Sequence, residues 1–589
     1  MILEALCALA DREKLIDQPA FQSVPVRWII DLDEHGQFRT LTDTAYTVQE
    51  EGKRKPKVRY KRFSVPRRGV RSGMSTKPDF LVDNIQYVFG IQNADEKKLN
   101  IPMASYQKAF LSLLQVANAD LAAEQLRSVI VFLGNDDERE QAACELKRES
   151  FSSKELVAFR VHGEFVHENQ SICDWWSNRS TEAINSADSR QCLVCGALRP
   201  PVRLHDQLKI VGTGSGAPLV GFNERAFEKH GLSGNENAPV CRACMVAYVN
   251  ALRRCLDDRY PRPDGDGTFP QQSILLSKDT TAVYWDDQSS ELTGALWWLN
   301  NDDPSAVKAI LQSAWKGERP AFSEARFYCL ILTGVKGRAV VRGMHTTTIE
   351  KISKHVESYF NCIEPMSRDG RPAPIYALLR SLVRKSDQKE HRKHLQPWLA
   401  AEVFLSAVLG KPLSSLFLAA AVGRIRAERD VTPPRAALLN LYFQRKGRGV
   451  PMSLDTVSTD PAYRYGRLLA VLEALQINYH NGRKPNSTIV DRFYAAASTR
   501  PATVFPRLLT LAQSHLKAAS YANFYGKQIT DVLEGLDGAN GFRPTLSIEQ
   551  QGRFALGYFH QRADRFKKSA QEGEIIPTSI EPATEENQA

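Results

Sequence analysis

The chain has no unbroken apolar run approaching the roughly 20 residues that a bilayer-crossing helix needs. Membrane insertion is therefore not expected. Cysteine is sparse, ten residues in 589, which excludes a disulfide scaffold and leaves thiols or metal ligands as the expected states in a reducing compartment. The signatures of several common chemistries are missing as well: there is no GxxxxGKS/T phosphate loop, no GxGxxG after a strand, no HExxH helix and no GxSxG elbow. The opening "MILEALCALADREK" lacks a basic leader and carries Glu4 and Asp11, so it reads as an amphipathic helix and not a secretory signal. A cytoplasmic protein is expected.

What remains is an ordinary globular composition, 43% hydrophobic and 24% charged, with a formal net charge of +10. A length of this order accommodates roughly two to four domains, and the charge favours a polyanionic partner. The positive charge is also concentrated. From Lys53 to Lys77, "KRKPKVRYKRFSVPRRGVRSGMSTK", there are eleven Lys and Arg and no Asp or Glu. Such a stretch repels itself when packed alone and becomes favourable against phosphates, with Tyr60 and Phe63 available for stacking. A solvated loop is the alternative. Apolar sequence resumes on both sides, so the segment is expected to be a long anchored loop that aims Arg67, Arg68 and Arg71 at a fixed target.

Elsewhere, residues 24–47 read as two strands joined at the His35–Gly36 turn. Met103 to about Asn118 places Tyr106, Phe110, Leu113 and Leu114 on one helical face. A second helix is expected near Leu121 and a strand near Val129–Leu133. "KELVAFRVHGEFVHEN" alternates as two short strands, "TAVYW" around Tyr284 reads as another, and Phe327–Leu332 with Arg338–Arg342 form a hairpin. From Ala401 the texture is helical, with apolar positions at Phe404, Val408, Phe417, Ala421 and Ile425, an interruption at Pro433 and Pro434, and further stripes at Leu468, Leu469, Leu472 and Leu475, then at Leu508, Leu511 and Leu516. The basic residues Arg424, Arg426, Arg429, Arg435, Arg445, Lys446 and Arg448 read either as solvated helix surface or as a nucleic-acid contact. The end of the chain, Glu-rich and poor in core residues, reads as a loose tail.

The most specific motif is a pair of CxxC turns. Cys192 and Cys195 in "QCLVCG", with Cys241 and Cys244 in "PVCRACM", supply the number and pairing of thiolates for one tetrahedral zinc. Isolated buried cysteines are the alternative. With four thiolates around the ion, no position is open to water, so a structural and not a catalytic metal is expected. The 45 residues between the pairs are rich in glycine and asparagine. Asn223, Asn235 and Asn237 could read base or sugar groups or cap turns. Three acidic groupings, Asp31 with Asp33 and Glu34, Asp257 with Asp258, and Asp264 with Asp266, read as solvated turns, and His205–Asp206 is a lone pair without the further ligands of a phosphohydrolase.

Several stretches together resemble the large subunit of the type I-C CRISPR surveillance complex, Cascade: "MILEALCALADR", "PVRWIIDLDEHGQF", "SGMSTKPDFLVDNIQYVFG", "CLVCGALRPPVRLHDQLK", "GAPLVGFNERAFEKHG", "GRAVVRGMHTTTIE" and "IRAERDVTPPRAALLNLYF". The resemblance implies a non-catalytic subunit that contacts CRISPR RNA, sits beside the guide-handle-binding and backbone subunits, helps recognise the protospacer-adjacent motif in duplex DNA, supports the R-loop with its displaced single strand, and recruits a helicase-nuclease in trans. It makes Arg67, Arg68, Arg71, Ser72, Lys77 and Asn84 the leading DNA contacts, with Asn223, Asn235 and Asn237 as a second set. It also implies a small helical subunit translated from an internal start, for which Met452 is the available methionine. The expected class is α+β: a mixed N-terminal portion with a four-cysteine zinc site, followed by a C-terminal helical bundle. The expected divisions are 1–190 with the basic arm at 53–77, 191–370 with the cysteine-clasped excursion, 371–450, a small-subunit-like bundle at 451–568, and a tail at 569–589. Two other functions compete: an adaptor that binds guide RNA and protein without reading duplex DNA, and an autonomous metal-dependent nuclease.

Overall fold

The computed structural model describes residues 2–15, 20–48, 57–69, 76–93, 102–182, 189–214, 216–222, 224–257, 260, 262, 268–301, 304–315, 324–335, 337–367, 370–481, 483, 485–534, 536 and 541–572. The chain divides into two compact units, one of Met1–Leu208 with Pro218–Arg253 and one of Lys209–Ala217 with Arg254–Ala589.

In the first unit the order is α1 (Ile2–Arg12), β1 (Phe21–Pro25), β2 (Trp28–Leu32), β3 (Phe38–Asp43), β4 (Ala45–Val48), β5 (Lys57–Tyr60), β6 (Arg62–Pro66), β7 (Asp83–Asn84), α2 (Ile85–Val88), α3 (Met103–Leu121), α4 (Glu124–Gly134), α5 (Asp136–Arg148), β8 (Leu156–Val161), β9 (Glu164–Phe165), α6 (Gln170–Glu182), β10 (Arg190–Gln191), β11 (Leu198–Arg199) and all but the last turn of α7 (Arg242–Leu256). A five-stranded sheet runs β3-β2-β8-β7, with β9 paired to β8. β2 and β8 are parallel, so the chain between them must cross over. α3, α4 and α5 fall in that interval. Trp28, Ile30 and Phe159 of the sheet share one core with Phe110, Leu114, Leu126 and Phe132 of the helices.

Two sequence expectations fail here. The segment Val129–Leu133 lies inside α4, where Leu126, Val129, Phe132 and Leu133 are buried and Val131 is exposed. Its β-branched residues favour a strand locally, but the helical spacing of the buried positions prevails. The basic arm is not a long loop: β5 pairs antiparallel with β4, and β6 pairs antiparallel with β1. Anchoring at both ends is as expected.

The second unit contains β12 (Ser273–Leu275), β13 (Thr280–Asp286), α8 (Glu291–Ala295), α9 (Ser305–Trp315), β14 (Arg326–Val335), β15 (Arg338–Thr348), α10 (Ile349–Ile363), α11 (Ile375–Arg380), α12 (His391–His394), α13 (Pro397–Leu409), α14 (Ser415–Glu428), α15 (Pro433–Arg445), α16 (Pro461–Tyr479), α17 (Ile489–Ala497), α18 (Pro501–Leu516), α19 (Ala522–Glu534) and α20 (Ile548–Glu572). β12, β13, β14 and β15 form one antiparallel meander. From β14 onward one apolar core continues through Val356, Phe404, Phe417, Leu438 and Leu468 to Phe554. The C-terminal region is accordingly helical, as expected.

Pro433 and Pro434 open α15 and do not interrupt a helix. A proline at the first helical position gives up no intrahelical bond, because that N–H has no partner there. Arg435 is buried and donates to Ser381 O and Asp430 O, both at 2.9 Å, while Arg445 donates to His355 O and Ser406 O at 2.9 Å. These two residues of the basic stretch are internal ties. Every residue of α16 from Ala462 to Leu475 is buried. α20 crosses it closely, since a Cβ at Gly466 would overlap Phe554 O and one at Gly557 would overlap Tyr463 O. Leu511 departs from its expected stripe and is exposed. Among the described residues, no helix is long and apolar enough to cross a membrane.

Candidate metal centre and nucleic-acid interface

The two CxxC motifs use different local structures. Cys192 and Cys195 occupy the turn between β10 and β11, which pair at Arg190↔Arg199 and Gln191↔Leu198. The turn closes through Gly196, whose φ of 72° is open to glycine at little cost; its N–H donates to Cys192 O at 2.9 Å, and Cys192 N–H donates to Ala197 O at 2.9 Å. Cys241 forms an isolated bridge with Pro201, and Cys244 lies in the first turn of α7. The positive end of that helix favours thiolate charge.

The four sulfur atoms lie within 4.8 Å of one another, and Cys195 Sγ is 3.9 Å from Cys241 Sγ. A tetrahedral zinc with bonds of about 2.3 Å needs sulfurs about 3.8 Å apart. The cluster is thus a candidate metal-binding site with the donor set of structural zinc, and the alternative of isolated cysteines is set aside. The N–H groups of Val194 and Cys241 point at Cys192 Sγ from 3.5 and 3.3 Å, as donors supporting a thiolate. Cys192, Cys241 and Cys244 are buried and Cys195 is exposed. The hydrogen bond with Cys244 and burial push the Cys241 thiol up to about 12. Cys241 and Cys244 therefore resist ionising by themselves, and a divalent cation is the natural counter-charge for the cluster.

Around the cluster, residues distant in sequence are tied by polar contacts. Cys7 Sγ of α1 donates to Cys244 O at 3.5 Å, and Asn250 of α7 donates to Leu15 O at 3.0 Å. His205 Nδ1 hydrogen-bonds the Tyr248 hydroxyl of α7. Arg190 pairs with Glu236 at 2.7 Å across the base of the excursion. Asp206 accepts from Arg67 Nη1 at 2.6 Å and lies 3.8 Å from Arg253. The His205–Asp206 pair, unassigned by sequence reasoning, is a structural tie between the basic arm and α7.

The predicted DNA contacts separate into groups. Arg67 is buried, donating to Phe21 O at 2.9 Å as well as to Asp206; its guanidinium anchors the arm. Arg68 is half-buried and donates to Asp79 Oδ2 at 2.7 Å and Asn84 Oδ1 at 2.9 Å, so Asn84 is engaged with it. Lys77 is exposed. Arg71, Ser72 and Asn223 lie outside the described residues. Asn235 donates to Val202 O at 3.0 Å, and Asn237 accepts from Lys229 N–H and donates to Leu232 O and Gly234 O, each at 2.9 Å. Asn237 thus closes a local turn, while Asn235 ties the excursion to the segment after β11. Phe63 packs on Phe165 with centroids 5.1 Å apart, and Tyr60 lies under the Arg27 guanidinium at 5.6 Å. Tyr46, which falls outside the acid-free stretch and was not singled out by sequence, is 48% exposed.

In the first acidic grouping, Asp31 is a tie and Asp33 closes a turn. Asp31 binds the Arg160 guanidinium with an Nη2–Oδ2 distance of 2.7 Å, and Asp33 accepts from His35 N–H and Gln37 N–H at 3.0 and 2.8 Å. Asp258, Asp264 and Asp266 lie outside the described residues. Gly212 comes close to Gly334: a Cβ on Gly212 would meet Gly334 O at 2.5 Å. Backbone packing within the second unit accounts for that glycine without a phosphate.

The structure defines an α+β protein: a mixed α/β unit carrying a four-thiolate cluster with the donor set of structural zinc, in a chain whose C-terminal region is helical. A family model for CRISPR-associated protein (Cas_Csd1) matches residues 4–566. The chain belongs to that family, the large subunit of the type I-C CRISPR Cascade complex, whose members are generally non-catalytic. No curated protein matches the chain.

Proposed function

We propose that this subunit recognises the protospacer-adjacent motif in duplex DNA, stabilises the R-loop and offers a docking surface for a helicase-nuclease acting in trans. The observation that carries the proposal is family membership across residues 4–566, joined to an arm with eleven cations and no acid between Lys53 and Lys77. Protein reads a short duplex motif and guide RNA pairing reads the remainder. Lys77, Arg71 and Ser72 are the retained contacts in the second half of the arm, and Arg67 and Arg68 hold it in place. One structural zinc sits in the four-cysteine cluster. Residues 451–568 form a small-subunit-like bundle, and a separate product starting near Met452 lines the path of the displaced strand. The protein works in the cytoplasm with CRISPR RNA, guide-handle-binding and backbone subunits, and no membrane.

The test uses the assembled complex and duplex targets that differ only in the flanking motif. Arg71→Glu with Lys77→Glu is expected to abolish duplex binding while subunit stoichiometry stays unchanged; unchanged target affinity rejects these contacts. The inward ties of Arg67 and Arg68 favour a second reading, an adaptor that reads no duplex, for which affinity would be the same for every flank. An autonomous nuclease would instead require divalent-metal-dependent cleavage by the purified chain. For the internal product, an antibody against the C-terminus that detects only a full-length band in native cells rejects it.

A further inference from the structure

The β4–β5 pair is a two-stranded ribbon outside both larger sheets. Isolated ribbons are marginal in water because neither face is packed. Here Tyr46 on one face and Val58 on the other are 48% and 54% exposed, so burial does not explain why the ribbon is kept extended. Its base, in contrast, is fastened on both strands. Thr44, just before β4, donates from its hydroxyl to Val26 O at 2.5 Å and accepts from Lys61 N–H at 3.3 Å. Lys61, just after β5, accepts from Val26 N–H at 3.0 Å. Arg27 stacks on Trp28 at 4.4 Å and on Tyr60 at 5.6 Å, while its guanidinium binds Asp43 at 3.1 Å and Glu155 at 2.8 Å. With Tyr46 and Val58 exposed, Arg59 and Tyr60 half-buried and the root fixed, the ribbon is a presented element.

Its charge indicates what it is presented to. Lys57, Arg59, Lys61 and Arg62 fall on or beside β5, and neither strand carries a carboxylate. The register sets Tyr46 directly opposite Arg59, so the two share one face with Cβ atoms about 5 Å apart. We propose that the β4–β5 ribbon enters the major groove of duplex DNA and presents Tyr46 and Arg59 to base edges, with Lys61 on the phosphates. The proposal rests on the reading above that this subunit recognises a duplex, and it names the element and the groove. Two strands about 4.8 Å apart with their side chains fit a groove about 12 Å wide and not one about 6 Å wide. The deep, narrow major groove of A-form RNA would exclude them. An arginine matches guanine O6 and N7, and a tyrosine ring offers apolar contact to a thymine methyl.

The test is flank selection by the assembled complex on a pool of duplex targets with randomised flanks, with dimethyl sulfate interference on the selected pool. Tyr46→Ala and Arg59→Ala complexes are compared with wild type after matching for zinc content and subunit stoichiometry. The proposal expects each variant to lose about tenfold in discrimination between selected and unselected flanks, and guanine N7 methylation within the selected flank to block wild-type binding. Full discrimination by both variants, or insensitivity to N7 methylation together with sensitivity to a minor-groove ligand such as netropsin, overturns the ribbon assignment and leaves duplex recognition standing. If the wild-type complex selects no flank, duplex recognition and the ribbon assignment both fall.

Discussion

The two units solve the problem of holding distant segments together by different means. In the first, α1, the basic arm at Arg67, the cysteine hairpin and α7 meet through short polar links: Cys7 to Cys244, Arg67 to Asp206, His205 to Tyr248, and four sulfurs around one point. In the second, α16 is buried on all sides from Ala462 to Leu475 and one apolar core runs through the helices around it. Polar links are few, directional and individually costly to break, because removing one partner strands a desolvated group. Apolar helix packing spreads its stabilisation over many contacts, so each is replaceable. The first arrangement fixes the direction of a strand or loop; the second fixes the spacing of helices.

Breaking the metal cluster should have the largest effect. Cys241→Ser or Cys244→Ser is expected to take zinc from about one per chain to near none, measured by elemental analysis. Structural zinc contributes about 10–16 kcal/mol to small metal-folded domains. Hydrogen exchange should therefore rise through β10, β11 and α7 and stay unchanged in α16. Equal loosening of α16 would erase the contrast between the units.

Next comes the buried ion pair. Arg67→Ala should cost the first unit about 3 kcal/mol by leaving the buried Asp206 with only the longer contact to Arg253, 3.8 Å away, to offset its charge. A double-mutant cycle with Asp206→Ala, read by urea denaturation, should recover part of that cost; strictly additive costs would show that the pair is not coupled.

Acid should act on the same unit. Burial holds His167 and His205 neutral and pulls both down to about 4, with the Asp206 carboxylate partly opposing the shift at His205. The unfolded chain takes up these protons below about 6.5 while the native one does not, so the stability present above that pH is lost as pH falls toward 4, on the order of 3 kcal/mol for each histidine. His167 lies against Phe63 and Phe165, and His167→Phe should remove its share of the pH dependence. An unchanged pH profile of unfolding in that variant would count against it.

The smallest effect belongs to the bundle. Gly466→Ala forces a methyl group against Phe554 O and should cost about 1–3 kcal/mol, seen in the melting of the helical unit with zinc content unchanged. Zinc loss on this substitution would mean that the two units do not unfold separately.

Much of the fold was legible because local pattern and packing agree. The opening helix, the hairpin of β14 and β15 and the apolar stripe of α16 all appear where the spacing put them. The strand expected at Val129–Leu133 was misread because β-branched residues carry a local preference that the burial of Leu126, Val129 and Phe132 overrides. The four cysteines were legible from spacing alone, since CxxC turns and thiolate chemistry permit few other uses. Arg67 was not legible. In sequence it is one cation among eleven, and only an acid 139 positions away distinguishes it from its neighbours.

By itself the sequence determined the family, the pairing of the cysteines, the helical character of the C-terminal region and the concentration of positive charge. These are properties of composition, order and short-range spacing, which survive without knowing what folds against what. Tertiary structure alone decided that Arg67 faces inward to Asp206, that Asn235 reaches Val202 while Asn237 closes a turn, and that Tyr46 stands opposite Arg59 on a two-stranded ribbon. A charge or an amide has the same chemistry in either setting, and its role depends on whether its partner is a buried group of the same chain or lies outside it.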